Sequence, residues 1–188
     1  MIEIHIRHGH ASPVTGRLTP EGERQAAVAG KFIRAEFPDP FHVGFHSPSS
    51  RAADTAKLLA LPNITWEVEA GLAEKQLGEN WNQMIDRIKS VDHDINAMRP
   101  QSNRVLVYHG DAMHAMRAWR EGFMGPRFDR LFEEPYKYFN NAQLIIYTDE
   151  APQGRSVLAG SWWVKSVCPW AEGKFGHDWV EFDSSKSY

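Results

Sequence analysis

Three short clusters hold the side chains best able to do chemistry: Arg7-His8-Gly9-His10, Ser47-Pro48-Ser49-Ser50-Arg51 and His109-Gly110-Asp111. Arginine's planar fork suits phosphate oxygens, which it meets through paired, charge-assisted hydrogen bonds. Two arginines and two histidines gathered in one crevice would make a compact, strongly anion-binding pocket. The chain as a whole has a formal net charge of -3 and no long run of lysine or arginine. Positive charge must therefore be concentrated locally, and a nucleic-acid partner, which needs a broad basic footprint, is not expected.

For the clusters to meet, the elements that carry them must end at one place. Ile2, Ile4 and Ile6 alternate with polar residues, which predicts a strand running into His8-Gly9, where glycine permits a tight turn. Thr19-Pro20-Glu21 reads as a helix start, with Thr19 the N-cap and Pro20 the first helical residue. That helix carries Gln25, Val28, Ala29, Phe32 and Ile33 on one face and ends before Pro38. Val43-Gly44-Phe45 predicts a short strand, and a helix bearing Ala52, Thr55, Ala56 and Leu59 follows Ser47-Pro48. A third strand is expected over Ile64 to Val68. A helix is expected through Trp81, Met84, Ile85, Ile88, Ile95 and Met98.

Val105-Leu106-Val107-Tyr108 is the clearest buried strand and ends at His109-Gly110, before a helix through Met113, Met116, Arg117 and Trp119. Leu144 to Tyr147 is another strand, and Ser156 to Val164 reads as an edge strand. Strands alternating with helices predict an α/β class: a single-domain, three-layer α/β/α architecture with a largely parallel central sheet. Ligands of such sheets bind in the crevice at the carboxyl ends of the strands, where all three clusters would lie. One domain is expected over residues 1–188. Residues 162–188 form an aromatic-rich C-terminal extension with four of the seven tryptophans: Trp162, Trp163, Trp170 and Trp179. It reads as a tail packed across a sheet edge, or else as a lid or partner surface.

The 188 residues are 42% hydrophobic and 24% charged, as in ordinary globular proteins. The single cysteine, Cys168, excludes an intrachain disulfide. No stretch resembles a signal peptide or a membrane span, so a cytoplasmic location without a membrane partner is expected. The sequence leaves the oligomeric state open.

Ile6-Arg7-His8-Gly9 resembles the RHG signature of the histidine phosphatase superfamily, which includes phosphoglycerate mutase-like enzymes. Leu18-Thr19-Pro20-Glu21-Gly22 is similar to the family's LTxxG, and Ser47 to Ala56 to its SPxxRAxxTA. Leu72 to Gly78 is similar to the segment that holds the family's acid. Val105 to Gly110 is similar to the strand before its second histidine, and Asn141-Ala142 to its closing segment. The resemblance spans roughly residues 2 to 147 and implies a phosphoglycerate mutase-like fold. It also implies a metal-independent phosphatase, of the histidine acid phosphatase type, with no cofactor.

His8 would be the nucleophile, since neutral imidazole is abundant near pH 7. Arg7, Arg51 and His109 would surround the transferring phosphoryl group, with His109 counted among the catalytic residues. Glu74 would be the general acid and base, with Glu79 the second candidate. The implied substrate is a small phosphorylated metabolite or a phosphoprotein.

The position after RHG is His10, a residue that either contacts substrate or lies on the surface. The short connection from Gly9 to Leu18 favours a phosphatase over a phosphoglycerate mutase-type phosphotransferase. His46 reads as structural. Two rival readings remain. One is a metal-dependent hydrolase built on His5, His8, His10, His109 and His114, with His8 and His10 on one strand face. The other is a non-catalytic phospho-ligand-binding module on the same fold.

Overall fold

The computed structural model describes residues 1–39, 41–123, 125–132, 139–153, 161–171 and 175–183. Among these residues seven strands form one sheet: β1 (Ile2–Arg7), β2 (Val43–His46), β3 (Thr65–Val68), β4 (Arg104–Tyr108), β5 (Leu144–Thr148), β6 (Ser161–Val167) and β7 (Gly176–Asp183). Among the described residues four α-helices flank it: α1 (Pro20–Glu36), α2 (Ser50–Leu58), α3 (Trp81–Met98) and α4 (Gly110–Arg120). The strand order is β3-β2-β4-β1-β5-β6-β7. Pairing is parallel from β3 to β1 and antiparallel from β1 through β5 and β6 to β7. The α/β class stands, with a sheet that is mixed overall and parallel in the half that carries the clusters.

Apolar residues cover both faces. Ile4, Ile6, Val105, Val107, Leu144 and Ile146 pack with Ala29 and Ile33 of α1 and Ala52 and Ala56 of α2. Val43, Phe45, Leu106, Tyr108, Ile145 and Tyr147 pack on the opposite face with Met84, Ile88 and Ile95 of α3 and Met113 and Met116 of α4. The alternation in β1 does not mark a wet face, because Glu3 and His5 are also buried. Glu3 accepts hydrogen bonds from Arg104 and His5 and pairs with Arg120, while Asp92 on α3 accepts from Arg120 and from Trp119 Nε1. A buried charge is tolerated only when it is paired in this way. The cluster ties β1, β4, α3 and α4 together beneath the sheet.

The helix starts follow the local sequence. Thr19 caps α1 by accepting from Gly22 N, with Pro20 in the first turn. Ser49 caps α2 by accepting from Ala52 N, and Asn80 with Gln83 forms a capping box on α3. Gly9 meets a need other than a left-handed turn. A Cβ there would lie 2.4 Å from Gly22 O, and one on Gly22 would lie 2.0 Å from His10 O. The two glycines let the first turn of α1 press backbone to backbone against the loop after β1.

The C-terminal part departs from expectation. The strand lies at Ser161–Val167, and residues 156–160 fall outside the described residues. This strand is interior, because β7, which the sequence pattern did not reveal, pairs along its outer side. The extension thus adds strands to the sheet. Trp170 Nε1 donates to Asn141 O at 2.5 Å, bracing the turn before β5. Among the described residues, no helix is long and apolar enough to cross a membrane.

Candidate active site

The parallel register sets the site. Arg7 stands opposite Tyr108, and His8 N donates to Tyr108 O at 3.0 Å, so β1 and β4 end side by side. On the other side of β4, Ser47 N donates to Val107 O at 3.0 Å, which brings the 47–51 cluster to the same end. The turn at Ala142 closes the fourth side by donating to Arg7 O at 2.9 Å. His8 and His109 consequently meet edge to face, with ring centroids 5.1 Å apart.

Hydrogen bonds fix the tautomers. A carbonyl can only accept, so His8 Nδ1 carries the proton it donates to Gly9 O at 2.8 Å. Its Nε2 lone pair is then free to accept from Arg51 Nε, at 3.0 Å. Arginine can only donate, so His109 Nδ1 accepts the long 3.5 Å contact from Arg51 Nη2. His109 Nε2 therefore donates to Ser47 Oγ at 2.8 Å. Burial is the main force holding His8 down to a pKa of about 4, aided by the charges of Arg51 and Arg7. Burial likewise takes His109 to about 3, with His8 and Arg51 adding to it. Both rings are neutral near pH 7, and Nε2 of His8 carries a lone pair.

Arg51 touches three members of the site, since its Nη2 also donates to Glu74 Oε2 at 2.5 Å. Its backbone is held in turn: Thr55 Oγ1 donates to Arg51 O at 2.7 Å and accepts from Gly9 N at 3.0 Å. Thr55 so welds the start of α2 to the loop of His8. Arg7 donates through Nη1 to Phe139 O, and its buried Nε has no hydrogen-bond partner among the described residues. A cleft of about 320 Å³ is lined by Arg7, His8, Glu74, Gly110 and Asp111, with Phe132, Phe139 and His114.

Glu74 lies on the connection between a 3-10 turn at Ala70–Leu72 and α3. Its side chain is 59% exposed. Arg87 of α3 governs this connection. It donates to Gly71 O and Ala73 O on one side of Glu74 and binds both carboxylate oxygens of Glu79, at 2.8 Å each, on the other. Glu79 also accepts from Gln76 N at 2.9 Å, and the Arg87 hydrogen bonds hold its carboxyl below the usual range. Glu79 is thus occupied as a clamp and does not line the cleft.

His10 is exposed, with Nδ1 2.8 Å from Thr19 Oγ1, and does not line the cleft. It follows the end of β1, so strand alternation does not place it with His8. His5 lies beneath the sheet between Tyr108 and Glu3, and no group of three potential ligands clusters among the described residues. The metal-site geometry expected of the first rival is absent there. His46 bonds Ser47 O at 2.8 Å and tilts against Trp66. Sequence reasoning missed Arg87, Phe132 and Phe139. No motif marked them, although Ser47 and Thr55, whose roles it also missed, stood in the SPxxRAxxTA segment.

Residues 5–82 match the family model of the histidine phosphatase superfamily, branch 1. No curated protein sequence matches the chain significantly. Among solved structures, a phosphoserine phosphatase from Entamoeba histolytica in complex with 3-phosphoglyceric acid is 17% identical. It aligns with a TM-score of 0.64 over 79% of this chain and 90% of its own. A mycobacterial glucosyl-3-phosphoglycerate phosphatase is 19% identical, with a TM-score of 0.65 over 78% and 92%. The Bacillus stearothermophilus protein YhfR is 19% identical, with a TM-score of 0.67 over 84% and 95%. At these identities the structures speak for the fold alone, and the family match is confined to a segment that includes His8, Arg51 and Glu74. The chain has a phosphoglycerate mutase-like fold, and its residues 5–82 are similar to the histidine phosphatase superfamily, branch 1.

Proposed function

We propose that the chain is a metal-independent phosphatase that hydrolyses a phosphomonoester, or a phosphoramidate, through a phosphohistidine on His8. The observation that carries this reading is the protonation pattern of His8: Nδ1–H is tied to Gly9 O, and the Nε2 lone pair sits against Arg51. In the first step Nε2 attacks phosphorus and the bond to the leaving oxygen (or nitrogen) breaks. Glu74 protonates the leaving atom as it departs. In the second step water attacks the phosphohistidine, Glu74 takes the water's proton, and His8 leaves with its lone pair restored. Dividing one displacement into two lowers each barrier.

Arg7 and Arg51 neutralise charge on the equatorial oxygens, so removal of either should cost on the order of 100-fold or more. The named structural relatives include phosphatases of small phosphorylated metabolites, which supports the same substrate class here. His8→Ala should keep the fold and abolish turnover of every substrate in a panel of phosphorylated metabolites and phosphopeptides. Brief incubation of the wild-type chain with labelled substrate should give an acid-labile, alkali-stable phosphoprotein. A variant retaining more than a few per cent of activity would rule His8 out as nucleophile.

A further inference from the structure

The cleft beyond His8 has two features the phosphatase chemistry does not need. One wall is aromatic. Phe139 stacks obliquely on His114 with centroids 4.6 Å apart, and His114 on Phe132 at 5.4 Å. Phe132 continues the row to Trp81 and to Phe128, at 5.4 Å each. Phe132, Phe128 and Trp81 are only partly buried. The other feature is charge. Besides Arg7, the charged groups lining the cleft among the described residues are both carboxylates, Glu74 and Asp111. Glu74 is paired with Arg51, whereas Asp111, in the first turn of α4, adds its negative charge to the field at Arg7.

We infer that the site selects phosphoesters of an uncharged, ring-bearing alcohol, whose ring lies along Phe132 while Asp111 turns away substrates with a second anionic group. The inference rests on the phosphatase reading of the same site. An aromatic face attracts a flat apolar ring beyond simple burial. A fixed carboxylate beside the leaving group discriminates by repulsion, which favours one substrate class without any new attractive contact. A carboxylate-bearing phosphate such as a phosphoglycerate would be a poor ligand on both counts.

Non-hydrolysable phosphonates separate binding from leaving-group chemistry. The full chain is titrated calorimetrically with methylphosphonate, benzylphosphonate and 3-phosphonopropionate. Benzylphosphonate should bind roughly three- to tenfold more tightly than methylphosphonate, and 3-phosphonopropionate more weakly than either. Phe132→Ala should bring benzylphosphonate to the level of methylphosphonate and leave the latter unchanged. Phe132→Leu, which removes the aromatic face but keeps most of the apolar volume, takes its place should the alanine variant unfold. Asp111→Asn should raise affinity for 3-phosphonopropionate several-fold and leave benzylphosphonate unaffected. A 3-phosphonopropionate affinity equal to or above that of benzylphosphonate overturns the inference, as does indifference to both substitutions. If methylphosphonate itself fails to bind, or binds equally well to Arg51→Ala, the phosphatase reading falls and takes the inference with it.

Discussion

A single guanidinium links the site: Arg51 contacts Nε2 of His8, which we propose as the nucleophile, the carboxylate of Glu74 and the ring of His109. Incoming phosphate oxygens would compete for those same N–H groups, so binding hands Arg51 from protein to substrate and frees both His8 Nε2 and Glu74. Glu74 matters as an acid only when the leaving group is poor. Glu74→Gln should slow phosphorylation of His8 by an alkyl phosphate about 100- to 10,000-fold, and by a nitrophenyl phosphate far less. Equal pre-steady-state rates for wild type and variant on both substrates would remove Glu74 from that role. The ring of His8 gives a second test. Its pKa of about 4 leaves Nε2 unprotonated well into the acid range. At pH 5 an ordinary histidine would be only about 3% neutral, whereas His8 stays mostly neutral. NMR titration of the ring protons should place His8 near 4. After correction for substrate ionisation, the acid limb of kcat/KM should follow it; a limb near 6.5 contradicts the buried, arginine-flanked environment.

Among the elements, the α3 start and the connection before it set where Glu74 stands, and Arg87 is the pin. Arg87→Met keeps length and removes five donors, and should imitate Glu74→Gln: a loss of about tenfold or more on alkyl substrates, little on nitrophenyl substrates, and no further loss in the double variant. A uniform loss on both substrates would indicate a general structural defect. None of this was legible in the sequence, because Arg87 reads there as one more exposed helical charge, and its partners are two carbonyls and a glutamate brought near by folding. What could be read was local. The cap at Thr19, the α3 periodicity and the strand Val105–Tyr108 follow from neighbouring residues alone. The convergence of His8, Arg51 and His109 followed from the placement of strand ends. Strand β7 escaped because Gly176–Asp183 carries three charges and a histidine, and becomes a strand only by pairing with β6. The need for Gly9 and Gly22 was hidden likewise, since it arises between two backbones.

For the molecule as a whole, the buried histidines set a direction for acid stability. His5, His8 and His109 all bind protons less readily in the fold than when exposed, burial being the first cause for each. The unfolded chain gains their protons near pH 6.5, while folded His8 and His109 take theirs only near 4 and 3. Stability should therefore fall as pH drops below about 6.5. Glu3, held well below the usual carboxylate range despite its burial by Arg120, His5 and Arg104, adds a loss at lower pH. The urea midpoint should be lower at pH 5 than at pH 7, and the difference should shrink in a His109→Gln variant. A midpoint unchanged between these values would contradict the neutral, buried state of the rings.

The central position of β1 has a consequence for how the protein is made. β1 leaves the ribosome before any other strand of the sheet, yet its two partners are β4, which begins at residue 104, and β5, which begins at residue 144. At roughly 5–20 residues per second of synthesis, the nascent segment bearing His8 waits several seconds or more with both edges unpaired. During that interval the Arg7-His8-Gly9 segment is complete in sequence but lacks the rest of the proposed site, because His109 and the turn at Ala142 have not been translated. On the proposed mechanism a growing chain would form no phosphoenzyme, and the edge of β1 that pairs with β5 stays open until translation has passed Thr148.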